Sequence, residues 1–267
     1  MPRRFFARHR HLKSLILLFI LHIPMESPSA SASKADVHNM IEICVELHRI
    51  QKDYSLVGMG IRYDKPKVDL QRAIERVNTD FRSLTADHHL GAKLESQIQP
   101  LLDEWQEVQA IATSTPSQAK MLELHKKIES LTSKCLTAVD AIEQDSQIPG
   151  EHYVALTGEM GMEVQRLAAL YIMRAWQIEQ DNYMAEVKHI LEEFERFYGE
   201  LQDADLAYVS AETKKDLQSV EKEFLVFERM VESNSGRFVP SLAQRSANKL
   251  YDHITEVSLK IIEKVEK

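Results

Sequence analysis

In the run Val37-His38-Asn39-Met40-Ile41-Glu42-Ile43-Cys44-Val45-Glu46-Leu47-His48-Arg49-Ile50-Gln51-Lys52-Asp53-Tyr54-Ser55-Leu56-Val57-Gly58-Met59-Gly60-Ile61, apolar side chains recur at Val37, Met40, Cys44, Leu47, Ile50, Tyr54, Val57 and Ile61. Steps of three and four put these residues in one stripe on one face of a helix, and that face must be buried against other helices. The helix should stop between Gly58 and Arg62, because Gly58 and Gly60 weaken it and Asp64-Lys65-Pro66 offers a cap followed by a first-turn proline. A second helix is expected from about Pro66 to Leu84. After Asp87-His88-His89, a third should run from about Leu90 to Ala112, and Ser114-Thr115-Pro116 should start a fourth that reaches about Glu143. Short turns between successive helices make neighbours antiparallel.

The same run occurs again 117 residues later. Arg49 aligns with Arg166, Tyr54 with Tyr171, Ile61 with Ile178, Asp64 with Asp181, Phe81 with Tyr198 and Leu84 with Leu201. Helical periodicity alone would not repeat those polar identities. Ile148-Pro149-Gly150 separates the copies. The second copy should place helices at about Glu151 to Gln180, Asn182 to Gln202, Ala211 to Ser233 and Pro240 to Val265. The expected fold is all-α, with two tandem antiparallel four-helix bundles at 33–146 and 150–267. A single long bundle sharing helices across the boundary is the alternative arrangement.

Composition agrees with this class: 44% of the 267 residues are hydrophobic, which supplies a core, and only eight glycines and eight prolines interrupt the helix formers. The first residues follow another rule. Arg3, Arg4, Arg8, Arg10 and Lys13 form a basic head before the apolar segment Leu15 to Ile23, which is followed by Pro24, Pro28 and Ser29-Ala30-Ser31-Ala32. That is the layout of a signal peptide over residues 1–32, too short in its apolar part to span a bilayer. A periplasmic location follows as an expectation, with anchorage to the inner membrane if the segment stays uncleaved. Without residues 1–32 the chain carries 28 Lys and Arg against 40 Asp and Glu, a net charge of −12 that disfavours nucleic acid and anionic membranes. Cys44 and Cys135 fall on different expected helices. They either pair, if their Cα atoms approach within about 7 Å, or serve as two small buried hydrophobes.

Leu47-His48-Arg49-Ile50-Gln51-Lys52-Asp53-Tyr54 and Gln165-Arg166-Leu167-Ala168-Ala169-Leu170-Tyr171 resemble the latter part of the Q-R-M-L-S-Q-R-M-x-K-x-Y box of PilJ/NarX-like domains. These are the N-terminal sensor domains of type IV pilus chemotaxis transducers and of nitrate/nitrite sensor kinases. Phe81-Arg82-Ser83-Leu84 and Phe194-Glu195-Arg196-Phe197-Tyr198-Gly199-Glu200-Leu201 extend the likeness. The resemblance implies a periplasmic four-helix bundle in which arginines of the first helix bind an anion between two domains. The box's earlier arginine is replaced here by Cys44 and Gly161, leaving Arg49 and Arg166 as the ligand-binding candidates. Arg49 has Glu46 and Asp53 one helical turn away, which favours a local ion pair. Arg166 is flanked by Met162, Glu163, Ala169 and Leu170, a more apolar setting in which a guanidinium welcomes an anion or a carboxylate from a facing helix. Two fused copies would build an intramolecular pseudo-dimer, with a homodimer as the other association. The expected function is an exported ligand-sensing module without its own output domain, binding a small anionic ligand or handing a signal to a separate protein.

Other classes fit less well. A di-iron bundle needs a Glu-x-x-His on each of two helices, and only Glu186-Val187-Lys188-His189 occurs. His88-His89 reads as a polar turn rather than a metal site. No haem-attachment, nucleotide-binding or nucleophile-elbow motif is present, so no enzyme activity, metal or cofactor is expected. Trp105, Trp176, Met59, Met160, Met162 and Met173 sit at helical spacing and read as core. A structural or adaptor bundle that binds a protein partner is the rival reading. An exposed apolar groove would favour it, whereas a closed polar pocket around Arg166 would favour sensing.

Overall fold

The computed structural model describes residues 34–86, 90–146, 148–178, 182–233 and 236–265, so the signal-peptide segment, His88-His89 and Asp181 lie outside the described residues. The described residues are all-α: α1 (Lys34–Gly58), α2 (Pro66–Thr85), α3 (Gly91–Ala112), α4 (Gln118–Ser146), α5 (Glu151–Ala175), α6 (Tyr183–Asp203), α7 (Ala211–Glu232) and α8 (Pro240–Val265). Among them no helix is long and apolar enough to cross a membrane.

The ends of the helices follow local chemistry. Ser210 caps α7 by accepting a hydrogen bond from the Thr213 amide, and Pro66 and Pro240 begin α2 and α8, where a missing N–H costs nothing. At the end of α1 the amides of Gly60 and Ile61 donate to the carbonyls of Val57 and Leu56, a left-handed closure with Gly60 at φ 72°. The amides of Gln177 and Ile178 close α5 in the same way on Arg174 and Met173, with Gln177 at φ 60°. This closure ends α5 at Ala175, short of the expected Gln180. Tandem copies thus share a backbone device as well as a sequence pattern, but the second copy builds it without glycine.

One hydrophobic core is formed mainly by α1 to α4 and another mainly by α5 to α8. The two meet along α1 and α5, which pack on each other as well as on their own copies. Ile41 lies on Gly158, Gln51 on Met173 and Gly58 on Trp176, so these two helices run parallel. Ile41 and Gly158 occupy the same repeat position, 117 residues apart. The copies are therefore related by a local pseudo-twofold along this seam. A side chain at Gly158 would collide with Ile41, which is why the close approach needs glycine there.

Cys44 of α1 and Cys135 of α4 form a disulfide, with Cα atoms 6.0 Å apart. Of the two readings open from sequence, the paired one is the structure. Within each copy, ion pairs and ring contacts join antiparallel neighbours, as Lys127 to Glu107 and Lys134 to Glu104 join α4 to α3, and as Phe194 stacks on Phe224 between α6 and α7. Between α2 and α3 the indole of Trp105 donates to Asn78 at 2.8 Å.

Candidate functional site

Because α1 is covered on every side, burial extends far beyond its apolar stripe. Glu46, His48, Gln51, Lys52, Asp53 and Ser55 are all buried, as are Glu163 and Gln165 of α5. Ionisable groups taken out of water need partners, and for Lys52 and Asp53 hydrogen-bond partners come from the other copy. The Lys52 ammonium donates to Gln165 Oε1 and to Asn248 Oδ1, both at 2.6 Å. Gln165 in turn donates to the Ala247 carbonyl, and Gln244 donates to Asp53 at 3.4 Å. Burial lowers the Lys52 ammonium against the pull of Asp53, and burial raises the Asp53 carboxyl against the pull of Lys52.

The two arginines singled out by the repeat both lie on this seam. Arg49 pairs with Glu46 at 2.9 Å, and its guanidinium lies 4.1 Å from the ring centroid of Tyr251 on α8. Tyr251 donates to Glu42 at 2.6 Å, and Arg76 of α2 completes the cluster at 2.8 Å from Glu46. Arg166 donates to Glu129 of α4 at 2.6 Å and has Glu163 at 3.6 Å. Each arginine thus keeps the intrahelical glutamate three residues earlier and reaches the fourth helix of the opposite copy. Burial raises the Glu163 carboxyl to about 7 although Arg166 opposes the shift.

Around Arg166 a second layer assembles from α1, α4 and α6. His125 Nδ1 lies 3.0 Å from the Gln51 amide nitrogen and 3.9 Å from Glu129, and His125 Nε2 lies 3.7 Å from Glu186. His48 reaches Thr132 at 3.2 Å; burial first and Arg166 second hold its imidazole well below its usual range, so it is neutral. No family model, curated protein or solved structure matches this chain. What remains is the arrangement itself, a largely buried seam in which charged and polar groups of the two repeats face one another.

Sequence reasoning located Arg49 and Arg166 and placed Asp53 only as a neighbour of Arg49, but passed over Lys52, His48, Gln51, His125 and Gln165 as site residues. A signal for them exists. Ile41, Ile43, Val45 and Leu56 lie off the main stripe and are buried, so α1 is apolar around much of its circumference, the mark of a central helix whose polar residues are also enclosed.

Two surface features lie away from the seam. A groove of about 650 Å³ between α2 and α3 is lined by Asn78, Phe81, Trp105 and Gln109. Another, of about 400 Å³ between α7 and α8, is lined by Val226, Phe227, Met230 and Leu242. Val226 and Leu242 are 69% and 45% exposed, so the second groove offers apolar surface to solvent.

Proposed function

We propose that this chain is an exported ligand-sensing module whose responsive element is the seam between α1 and α5. The observation that carries the reading is the pair Arg49 and Arg166, which come from equivalent repeat positions and each reach across to the other copy. A charged seam is a costly way to hold two bundles together, because desolvating ions offsets their attraction. It is well suited to an element whose packing a bound ligand can shift. A small anion would compete with Glu129 for the Arg166 guanidinium, and the Glu129 side chain is 26% exposed, so it can be displaced outward. The Cys44–Cys135 disulfide supports an oxidising location such as the periplasm.

The test is a thermal-shift screen in EDTA against nitrate, nitrite, small carboxylates and amino acids, repeated on Arg166→Ala. A ligand that binds the native state raises the melting temperature by mass action, and the variant should lose that shift. If nothing shifts at millimolar ligand, the sensing reading fails. The α7–α8 groove favours a second reading, an adaptor that takes an apolar helix of a protein partner.

A further inference from the structure

From the approach of Glu186 on α6 to His125 and Glu129 on α4 we infer a divalent transition-metal site made by these three residues, joining the two repeats. One donor atom from each lies within 4.8 Å of the other two. His125 and Glu129 stand one turn apart on α4, so both face the same point, and Glu186 comes from the first turn of α6 in the other copy. An ion bound at about 2.1 Å holds adjacent donors roughly 3 to 4 Å apart. The 3.7 Å between His125 Nε2 and Glu186 Oε2 has that spacing and is too long for a hydrogen bond.

Three independent features of the surroundings point the same way. Glu129 Oε1 and Glu186 Oε2 are buried atoms without a hydrogen-bond partner, and Arg166 occupies the other oxygen of Glu129, leaving Oε1 free. Gln51, fully buried, touches His125 Nδ1 with its amide, interacts with His48 and has an unpartnered Oε1. Turning that amide gives up its 2.9 Å contact with Met173 Sδ and lets Oε1 accept from His125 Nδ1–H. In that tautomer the Nε2 lone pair of His125 faces Glu186, as a metal-ligating imidazole with its second nitrogen held requires. Charge agrees as well: the carboxylates of Glu129 and Glu186 outnumber the one guanidinium of Arg166, which leaves room for a cation.

One imidazole and two carboxylates suit zinc or manganese, with water completing the shell. The side chains of Glu129 and Glu186 are 26% and 25% exposed, which gives an ion a way in from solvent. Binding here stands whether or not the chain senses an anion.

The experiment is calorimetric titration of the chelator-treated chain with zinc chloride, with the metal content of the dialysed protein measured in parallel. One zinc per chain is expected, together with a rise in melting temperature. Glu186→Gln should weaken binding at least 100-fold while leaving the circular dichroism of the metal-free protein unchanged. Gln51→Leu should weaken it about 10-fold, the size of a lost second-layer contact. A charged histidine bridging two glutamates without metal would give the same contacts. In that case no zinc binds tightly, or zinc binds equally to wild type, Glu186→Gln and His125→Gln, and either result overturns the site. A His152→Ala control should leave the stoichiometry at one; its loss there would move the site elsewhere.

Discussion

Reducing the Cys44–Cys135 bond should be the largest single loss of stability available without changing a residue. The bond closes a loop of 91 residues. The chain-entropy relation for a loop of that length gives about 4.6 kcal/mol, against a total of roughly 5–15 kcal/mol for an ordinary folded protein. With an unfolding entropy of about 2 cal/mol/K per residue over the 223 described residues, that is a fall in melting temperature of about 10 °C. Both sulfurs are buried on the inner faces of α1 and α4, so thiol reagents should reach them only as the protein opens. The assay is urea unfolding of the oxidised chain and of the chain unfolded and refolded in dithiothreitol. The reduced form should also show a steeper denaturant slope, because an unfolded state without the cross-link is more expanded and exposes more surface. Cys44→Ala with Cys135→Ala should lose still more, since it adds a cavity beside Met40 to the lost constraint. If oxidised and reduced proteins melt within 1 °C of each other, the loop argument fails. If two thiols titrate in the unfolded, unreduced protein, the pairing itself fails.

Other predictions follow from individual contacts. His152 is raised to about 9 by its hydrogen bond to Glu143, with Glu200 adding to it, so its stabilisation is complete below about 6.5 and is lost as pH rises through 9. With the side chain 45% exposed, this should be at most about 1 kcal/mol, visible as a fall in melting temperature between pH 6 and 10 that His152→Ala flattens. Gln177→Gly should raise stability by roughly 0.5–1 kcal/mol by relieving a left-handed backbone; unchanged thermal unfolding would refute the strain. Gly158→Val should cost about 2–3 kcal/mol by forcing α1 from α5, whereas Gly199→Ala, with nothing near its Cβ, should gain up to about 1 kcal/mol in the same melts. Lys52→Met alone leaves Asp53 buried without its cation and should destabilise by about 3 kcal/mol or more; adding Asp53→Leu should recover most of that loss in chemical unfolding, and failure to recover would show that the pair contributes net stability.

The helices were legible because their causes are local. Pro66, Pro240 and Ser210 announce helix starts by what a backbone amide does without a partner, and Gly60 announces an end. Gln177 does not, because it takes the left-handed position without the residue that usually marks it, so the sequence pattern carries α5 on to Gln180 where the helix ends at Ala175. The repeat brought Arg49 and Arg166 to attention but not their partners. Glu129 and Tyr251 belong to the fourth helix of each copy, where the correspondence between copies has faded to pattern, and which of those helices meets which arginine depends on how α1 packs on α5. The disulfide was undecidable for the same reason: the register of α1 on α4 is set by the whole core, and no spacing between Cys44 and Cys135 encodes it.

The seam is symmetric in its backbone and asymmetric in its chemistry. His48, Gln51, Lys52 and Asp53 in the first copy stand where the second has Gln165, Ala168, Ala169 and Leu170. Two identical copies packed in this way would bring each polar set against itself, doubling the buried charges while offering only half the complementary partners. Fusion removes that constraint. One copy supplies Lys52 and the other Gln165 and Asn248 to receive it; one supplies His125 and Glu129 and the other Glu186 and Arg166. A site assembled from unlike halves exists once per chain rather than twice, and its geometry is held by the relative placement of the two repeats. Whatever occupies it is therefore coupled directly to the packing of α1 on α5. A small molecule or ion needs that coupling if its arrival is to be felt beyond the residues it touches.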